Sequence, residues 1–454
     1  MGSINIDNTG SGGAITLSSD GTSLLLGGSA VGGGADLYAA NESSPSAQPS
    51  ATGANAVAIG DSAVASGSKS IALGYKATAT ANFATAFAES RAAGEYSFAA
   101  GIANDSTTYG ASAAYSISIG YQSRAKAGQS VALGSTAYVD SDSNRGLSLG
   151  ENAYVEQMDY GSAIGANARV HGSNSTTHAT AIGTSYASGN HSFAAAIANN
   201  SSSYGASGAN SIAMGYQNKA DDPNAVAIGK SNISSGAQTS IAIGMNNSVT
   251  GMRGVAIGSD NTVGGLVGHA YGANHTVSGQ YAVALNRDND AASNYSFVSG
   301  YYADSHAVKG RFARGTGGLS LNGTKGDAQY GLLVLVKNTT DATQTALSTD
   351  TLTAGNDNQL VVQNNGAVAF HGTIVAKQAG SSNIAAWEVK GLMHNVTTAT
   401  LVNSAITVID NTPSWGFAMA ADTTNDAVQF LVTGAASTNI SWVATIHSSE
   451  VIRS

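Results

Sequence analysis

Ala56-Val57-Ala58-Ile59-Gly60-Asp61-Ser62-Ala63-Val64-Ala65-Ser66-Gly67 contains two short alternating runs, each closed by a glycine. Its first half returns as Ser70-Ile71-Ala72-Leu73-Gly74, Ser130-Val131-Ala132-Leu133-Gly134, Ala225-Val226-Ala227-Ile228-Gly229 and Ser240-Ile241-Ala242-Ile243-Gly244. Seventeen such phrases end between Gly60 and Gly300, half of the steps between them 14 residues long with excursions from 13 to 19. A fixed period of this size is the signature of a solenoid. Strict alternation over five residues suits one short strand, because successive side chains point to opposite faces. The glycine admits a backbone turn that a Cβ would hinder. Two strands and two turns in about 14 residues make one rung of a narrow parallel β-roll. Stacked at ~4.8 Å, seventeen rungs would give a rod of roughly 80 Å.

Alternation puts Val57 and Ile59 on one face and Ala58 on the other. The expectation is that the Val, Ile and Leu residues face inward and that the alanine face packs against a neighbouring copy. One such rung buries little apolar area by itself, since a fully buried aliphatic side chain stabilises by only ~1.5–3 kcal/mol. Several identical chains around an axis are therefore expected, in a closed cyclic assembly. A longer repeat lies over the short one. Ser97-Phe98-Ala99-Ala100 returns as Ser192-Phe193-Ala194-Ala195, and Gly120-Tyr121-Gln122 as Gly215-Tyr216-Gln217, both at an offset of 95 residues. Both copies contain a 19-residue step, which predicts a repeated bulge or loop.

The chain has 454 residues, 10% of them charged, with 56 glycines, 4 prolines and no cysteine. Without cysteine there are no disulfides and no thiolate metal sites. A net charge of −9 and the lack of any basic patch argue against a nucleic-acid partner. Met1-Gly2-Ser3-Ile4-Asn5-Ile6-Asp7 lacks the cationic start and apolar core of a signal peptide. No stretch reaches the ~18 apolar residues of a membrane helix. The expectation is a protein made in the cytoplasm without a signal peptide, and one that does not insert into a membrane.

Residues 1–36 read as a small β module and 37–53 as a linker carrying Pro45 and Pro49. The roll covers 54–303, and 304–329 form a transition. From about 330 to 454 the short period gives way to alternating runs such as Leu332-Leu333-Val334-Leu335-Val336 and Val428-Gln429-Phe430-Leu431-Val432. Strands at such spacing predict an antiparallel β-sandwich. All three tryptophans, Trp387, Trp415 and Trp442, fall there and suit a globular core. The fold class expected is all-β: a trimeric parallel β-roll or solenoid followed by a C-terminal antiparallel β-sandwich.

The phrase from Asn55 to Gly67 resembles the head repeat of trimeric autotransporter adhesins, a left-handed parallel β-roll that trimerises. Similar repeats occur in bacteriophage fibres. The stretch from Ala369 to Val451, with Ala385-Ala386-Trp387-Glu388-Val389-Lys390-Gly391, resembles the C-terminal β-domain of tailed-phage fibre and appendage proteins. The opening Ile4-Asn5-Ile6-Asp7-Asn8-Thr9-Gly10 is similar to phage virion N-termini. These resemblances imply a homotrimeric structural fibre on the tail or capsid surface of a virion. Its module at 1–36 would join other virion proteins, and its C-terminal domain would trimerise or face a receptor. Host attachment would work by multivalent display, with a host-surface glycan or protein as the further partner. The alternatives are a cell-surface trimeric adhesin, a capsid-decorating fibre without a receptor role, and a depolymerase-type tailspike, whose solenoid would be wider.

No constellation for chemistry stands out, so no enzyme, cofactor or metal is expected. The nine histidines include no metal-ligand pattern. The carboxylate pairs Asp140/Asp142 and Asp288/Asp290 lack the glycine and distant glutamate of a calcium loop. Sixteen of the eighteen tyrosines lie between Tyr75 and Tyr302, several just past a turn glycine. A phenol offers a flat apolar face with a polar tip. Tyr75, Tyr121, Tyr216 and Tyr301, together with Trp387 and Trp415, are the candidate surface contacts; the bland reading is that the tyrosines cover rung edges.

Overall fold

The computed structural model describes residues 47–102, 108–173, 177–195, 203–236, 238–319 and 323–453, with the strand backbones Ile4–Ile6, Ile15–Ser19, Leu24–Leu26 and Ser29–Val31. Those four strands form an antiparallel sheet in sequential order. The linker expected at 37–53 lies outside the described residues up to position 46. So do the extra residues of the two 19-residue steps, at 103–107 and 196–202. Every element among the described residues is a strand. The chain divides into two compact units, Met1–Asn190 and His191–Ser454.

In the first unit, nine three-residue strands from Val57–Ile59 to Thr180–Ile182 stack in parallel without offset. Ala58, Ala72, Ala86, Ala99, Ser118 and Ala132 are partners in one straight column. A second parallel sheet, from Ser50–Ala51 to Tyr186–Ala187, aligns Ala65, Ala79, Ala92, Ala111, Ala125 and Val139 in the same way. Both columns are fully buried.

The alanines are therefore inside, and the Val, Ile and Leu residues of the longer strands point outward, the reverse of the sequence expectation. The reason is width. Two strands and two tight turns leave an interior that admits methyl groups and hydroxymethyl groups and little more. Where the second sheet carries valine, the rung compensates with glycine: a Cβ on Gly161 would lie 2.8 Å from Val155 Cγ1 and 3.0 Å from Val170 Cγ1. In the second unit a Cβ on Gly254 would meet Val249 Cγ1 at 2.8 Å and Val263 Cγ1 at 3.1 Å. A buried methyl contributes only ~0.8 kcal/mol. Much of the cohesion must then come from the uninterrupted ladders between rungs, such as Val57 N to Ser70 O at 2.9 Å.

The second unit repeats this plan with nine strands from Phe193–Ala195 to Phe312–Thr316, all but the first of them five residues long. The turn glycine is demanded twice over at Gly258. Its φ is +126°, and a Cβ there would lie 1.8 Å from the Gly272 carbonyl oxygen one rung on. A buried polar column runs beside the turn. Asn218, Asn232, Asn247 and Asn261 each place a side-chain oxygen on the backbone N–H of the next member. Their amides donate to turn carbonyls, as Asn218 does to Met214 O and Gly229 O, both at 2.6 Å. His275 takes the next place and Asn289 the one after.

The rung architecture ends on Phe312–Thr316. It pairs in parallel with Phe297–Tyr301 on one side and antiparallel with Ala328–Thr339 on the other. Antiparallel strands then follow in the spatial order Ala328–Thr339, Ile440–Ile452, Gly366–Gln378, Ile384–Asn395, Ala399–Asp410. A second antiparallel sheet is built on Ala427–Thr433, flanked by Gly416–Asp422, Thr345–Ala346 and Leu360–Val361. Residues of both sheets share one core, including Leu335, Phe370, Ile374, Met393, Phe430, Val432, Trp442 and Ile446.

Candidate functional surfaces

Because alanine fills the interior, each solenoid segment presents two outward faces of different chemistry. In the first unit the longer-strand sheet shows Val57, Ile59, Ile71, Leu73, Ile117, Ile119, Val131, Leu133, Leu149 and Ile182. In the second it shows Ile212, Met214, Val226, Ile228, Ile241, Ile243, Val255 and Ile257. Ile119, Met214 and Ile257 are each 39–40% exposed in the single chain. Contiguous apolar surface of this extent marks an interaction site rather than a solvated wall. The opposite sheet is mostly polar outward: Thr78, Arg91, Arg124, Tyr138, Tyr154, Arg169 and Tyr186 in the first unit, Lys219, Ser248, Thr262 and Thr276 in the second, with Val64 and Ile233 as apolar exceptions.

On that polar face the first unit carries a cation–aromatic ladder. The Arg124 guanidinium lies 4.8 Å from the Tyr109 ring centre and 5.2 Å from that of Tyr138. Tyr138 meets Tyr154 at 4.7 Å, and Arg169 stands 6.0 Å from both Tyr154 and Tyr186. Burial pushes the Tyr138 phenol well above its usual range, helped by its hydrogen bond to Asp140.

The tyrosines singled out from the sequence are dispersed. Tyr75, Tyr121 and Tyr301 are exposed and Tyr216 is half-buried. Each follows its own turn glycine on a different rung, so no common pocket gathers them. The Lys76 ammonium lies over the Tyr75 ring at 4.8 Å, and Arg287 over Tyr301 at 5.5 Å. Trp387 and Trp415, also named as surface contacts, lie in the core with 2% and 5% exposure. They pack on Trp442 at 5.7 and 5.8 Å, where their area serves cohesion.

Sequence reasoning missed a second aromatic column, at the rung position that opens each longer strand. Phe83, Tyr96 and Tyr115 stack with centroids 4.6 and 5.1 Å apart, all at φ near +57°. Tyr281 and Tyr295 do the same in the second unit at 5.5 Å. Stacking offsets part of the ~1 kcal/mol that a left-handed backbone costs a non-glycine residue. Superposing the repeats on Lys69-Ser70, Phe83-Ala84, Tyr96-Ser97 and Tyr115-Ser116 would have exposed it.

A buried charged cluster joins the last rung to the antiparallel sheet. Arg311 is fully buried and bonded to Glu450, which also accepts from Ser448 and from Gln329 at 3.0 Å. Burial alone would raise the Glu450 carboxyl, but Arg311 and these donors hold it below the usual range. Burial and the nearby Arg311 drive His306 down to about 3, and burial lifts Asp304 to about 6. Arg311 Nε and Nη1 and His306 Nδ1 have no hydrogen-bond partner within the cluster. Gln329 and Glu450 also line a surface cavity of about 520 Å³, together with Phe312, Arg314 and Tyr330. Asp140 accepts from Tyr138 and from Ser141 N, while Asp288 pairs with Arg287 at 2.8 Å. Among the described residues no group of three or more His, Cys, Asp or Glu is arranged to hold a metal ion. Nor is any helix there long and apolar enough to cross a membrane.

Each unit thus contains an all-β parallel solenoid segment of nine stacked longer strands, with one apolar and one mostly polar outward face. The family profile described as the YadA head domain repeat matches at residues 51–77, 65–87, 111–137, 206–232 and 236–261, all of them within solenoid rungs. Head repeats of the adhesin type are thus present in both units. No curated protein matches the chain.

Proposed function

We propose that the chain is a homotrimeric structural fibre of a tailed-bacteriophage virion that attaches to the host by multivalent display. The observation that carries the trimer is the apolar outward face of the longer-strand sheet. It is too extended to remain in water, and its repetition on every rung suits burial against identical copies. The polar, aromatic-rich opposite sheet then faces outward and is the displayed surface. Three copies of each weak contact raise the effective concentration of the others, so modest individual affinities suffice. The N-terminal strands are the module that joins other virion proteins, and the C-terminal sheets serve trimerisation or receptor contact. The resemblance of both ends to phage virion proteins supports the virion location.

A second reading, a cell-surface trimeric adhesin, is favoured by the head-repeat matches themselves. Both readings require a trimer. Light scattering on the purified chain should give three times 45.1 kDa, and a monomer at all concentrations would overturn both. Antibody against the chain should label purified virions; labelling confined to bacterial envelopes would favour the second reading.

A further inference from the structure

The outward face of the five-stranded antiparallel sheet holds a polar depression of about 370 Å³ amid valines. Its floor is laid by the two central strands. His371, on Gly366–Gln378, is the direct cross-strand partner of His447, on Ile440–Ile452. Their rings stack with centroids 5.1 Å apart and planes within 10°. Thr373 and Thr445 form the next cross-strand pair, with Glu388 and Thr407 continuing the row outward. Directly across from His371 on the other side stands Lys390. Flanking residues Phe370 and Ile446 point the other way into the core, which fixes both imidazoles on the open face.

We propose that His371 and His447 form a two-nitrogen site for a divalent transition cation of the Zn2+, Ni2+ or Cu2+ class. Imidazole suits these borderline ions, whereas Mg2+ and Ca2+ prefer oxygen sets. Metal–nitrogen bonds of ~2.0–2.1 Å are within reach of two rings on adjacent strands after rotation about their side-chain torsions. The second shell is already in place. The Tyr330 hydroxyl is hydrogen-bonded to His447 Nδ1. In the metal-binding tautomer Nδ1 carries the proton and donates it to the phenol oxygen, leaving the Nε2 lone pair for the ion. Orientation by such a partner commonly changes affinity 10–100-fold. Water and the threonine hydroxyls complete the coordination. Lys390 opposes the cation by repulsion and Glu388 favours it, so the two charges tune the site in opposite directions.

The experiment is a titration of the chelator-treated full chain with Zn2+ by calorimetry and with Cu2+ by electron paramagnetic resonance. The expected result is one ion per chain and a Cu2+ signal with two nitrogen ligands. His371→Ala and His447→Ala should each abolish the two-nitrogen signal. Tyr330→Phe should weaken Zn2+ binding by about tenfold, and Lys390→Gln should tighten it. Both histidines lie on an open face, so the variants should keep the wild-type thermal midpoint without metal. Zn2+ affinity and a two-nitrogen spectrum unchanged in the double variant His371→Ala/His447→Ala would overturn the assignment. So would a wild-type chain that binds no ion, or one ion shared among three chains.

Discussion

Serine at Met214, Ile257 and Tyr271 should dissociate the assembly while leaving each solenoid segment folded. These side chains are 40%, 39% and 38% exposed in the single chain, so about two-fifths of their surface remains for a partner to cover. Full burial of such a side chain contributes ~1.5–3 kcal/mol, which makes the remaining share ~0.6–1.2 kcal/mol. Three positions in three copies give nine side chains and ~5–11 kcal/mol per trimer. At ~1.4 kcal/mol per decade the association constant should fall by about four to eight orders of magnitude. Sedimentation velocity over a dilution series reads this directly, and circular dichroism checks that the strands persist. Ala256→Val, one residue away but inside, is the counterpart. It overpacks a fully buried position and should cost ~1–3 kcal/mol in thermal stability without changing the mass. A triple serine variant that stays trimeric at every dilution would refute the assignment of the apolar face to the subunit contact.

Two further outcomes follow from the second unit. His275 fits the asparagine column only when neutral, because Nδ1 accepts from Asn289 N at 3.2 Å while Nε2 donates to Tyr271 O. Burial lowers its pKa below 6.5 in the folded chain, so the unfolded chain takes up the proton first and stability falls as pH drops below about 6.5. His275→Asn should remove that part of the slope, seen as a flatter thermal midpoint between pH 5 and 7; an unchanged slope would show that the ladder tolerates the cation. Arg311→Met should cost ~3–5 kcal/mol by leaving Glu450 buried without its partner, and Arg311→Met/Glu450→Leu should recover most of it. Chemical denaturation measures both, and a double variant no better than the single would contradict this account.

The period, the turn glycines and the change to antiparallel strands after residue 330 were all legible, because each depends on local chemistry. Which face of the alternation points inward was not. Ala58 and Ile59 announce two faces, but only the width of a 14-residue rung decides that the methyl goes in and the sec-butyl group out. That width is a property of the closed turn and appears in no single residue. The column from Asn218 to Asn289 was visible at 14- and 15-residue spacing, yet it sits past the glycine, beyond the apolar phrase that first draws the eye. Trp387 and Trp415 carry the opposite lesson. An aromatic in a strand pattern speaks for burial unless alternation places it opposite the core residues, and Trp387 shares its face with the buried Ala385 and Val389. The His371–His447 pair was beyond reach, since 76 residues separate its members and only the antiparallel register aligns them.

A stack of in-register parallel rungs has no internal reason to stop, because the last ladder is as ready to bond as any before it. Here the strand Ala328–Thr339 runs against Phe312–Thr316 in the opposite sense, and Arg311 fastens it through Glu450. The reversal is a terminator. It consumes the donors and acceptors on which another solenoid could have templated and turns the growth axis into a two-layered lid. Length in this architecture is thereby encoded genetically, by the number of copied rungs, while end-to-end polymerisation at this terminus is blocked by a single change of strand direction.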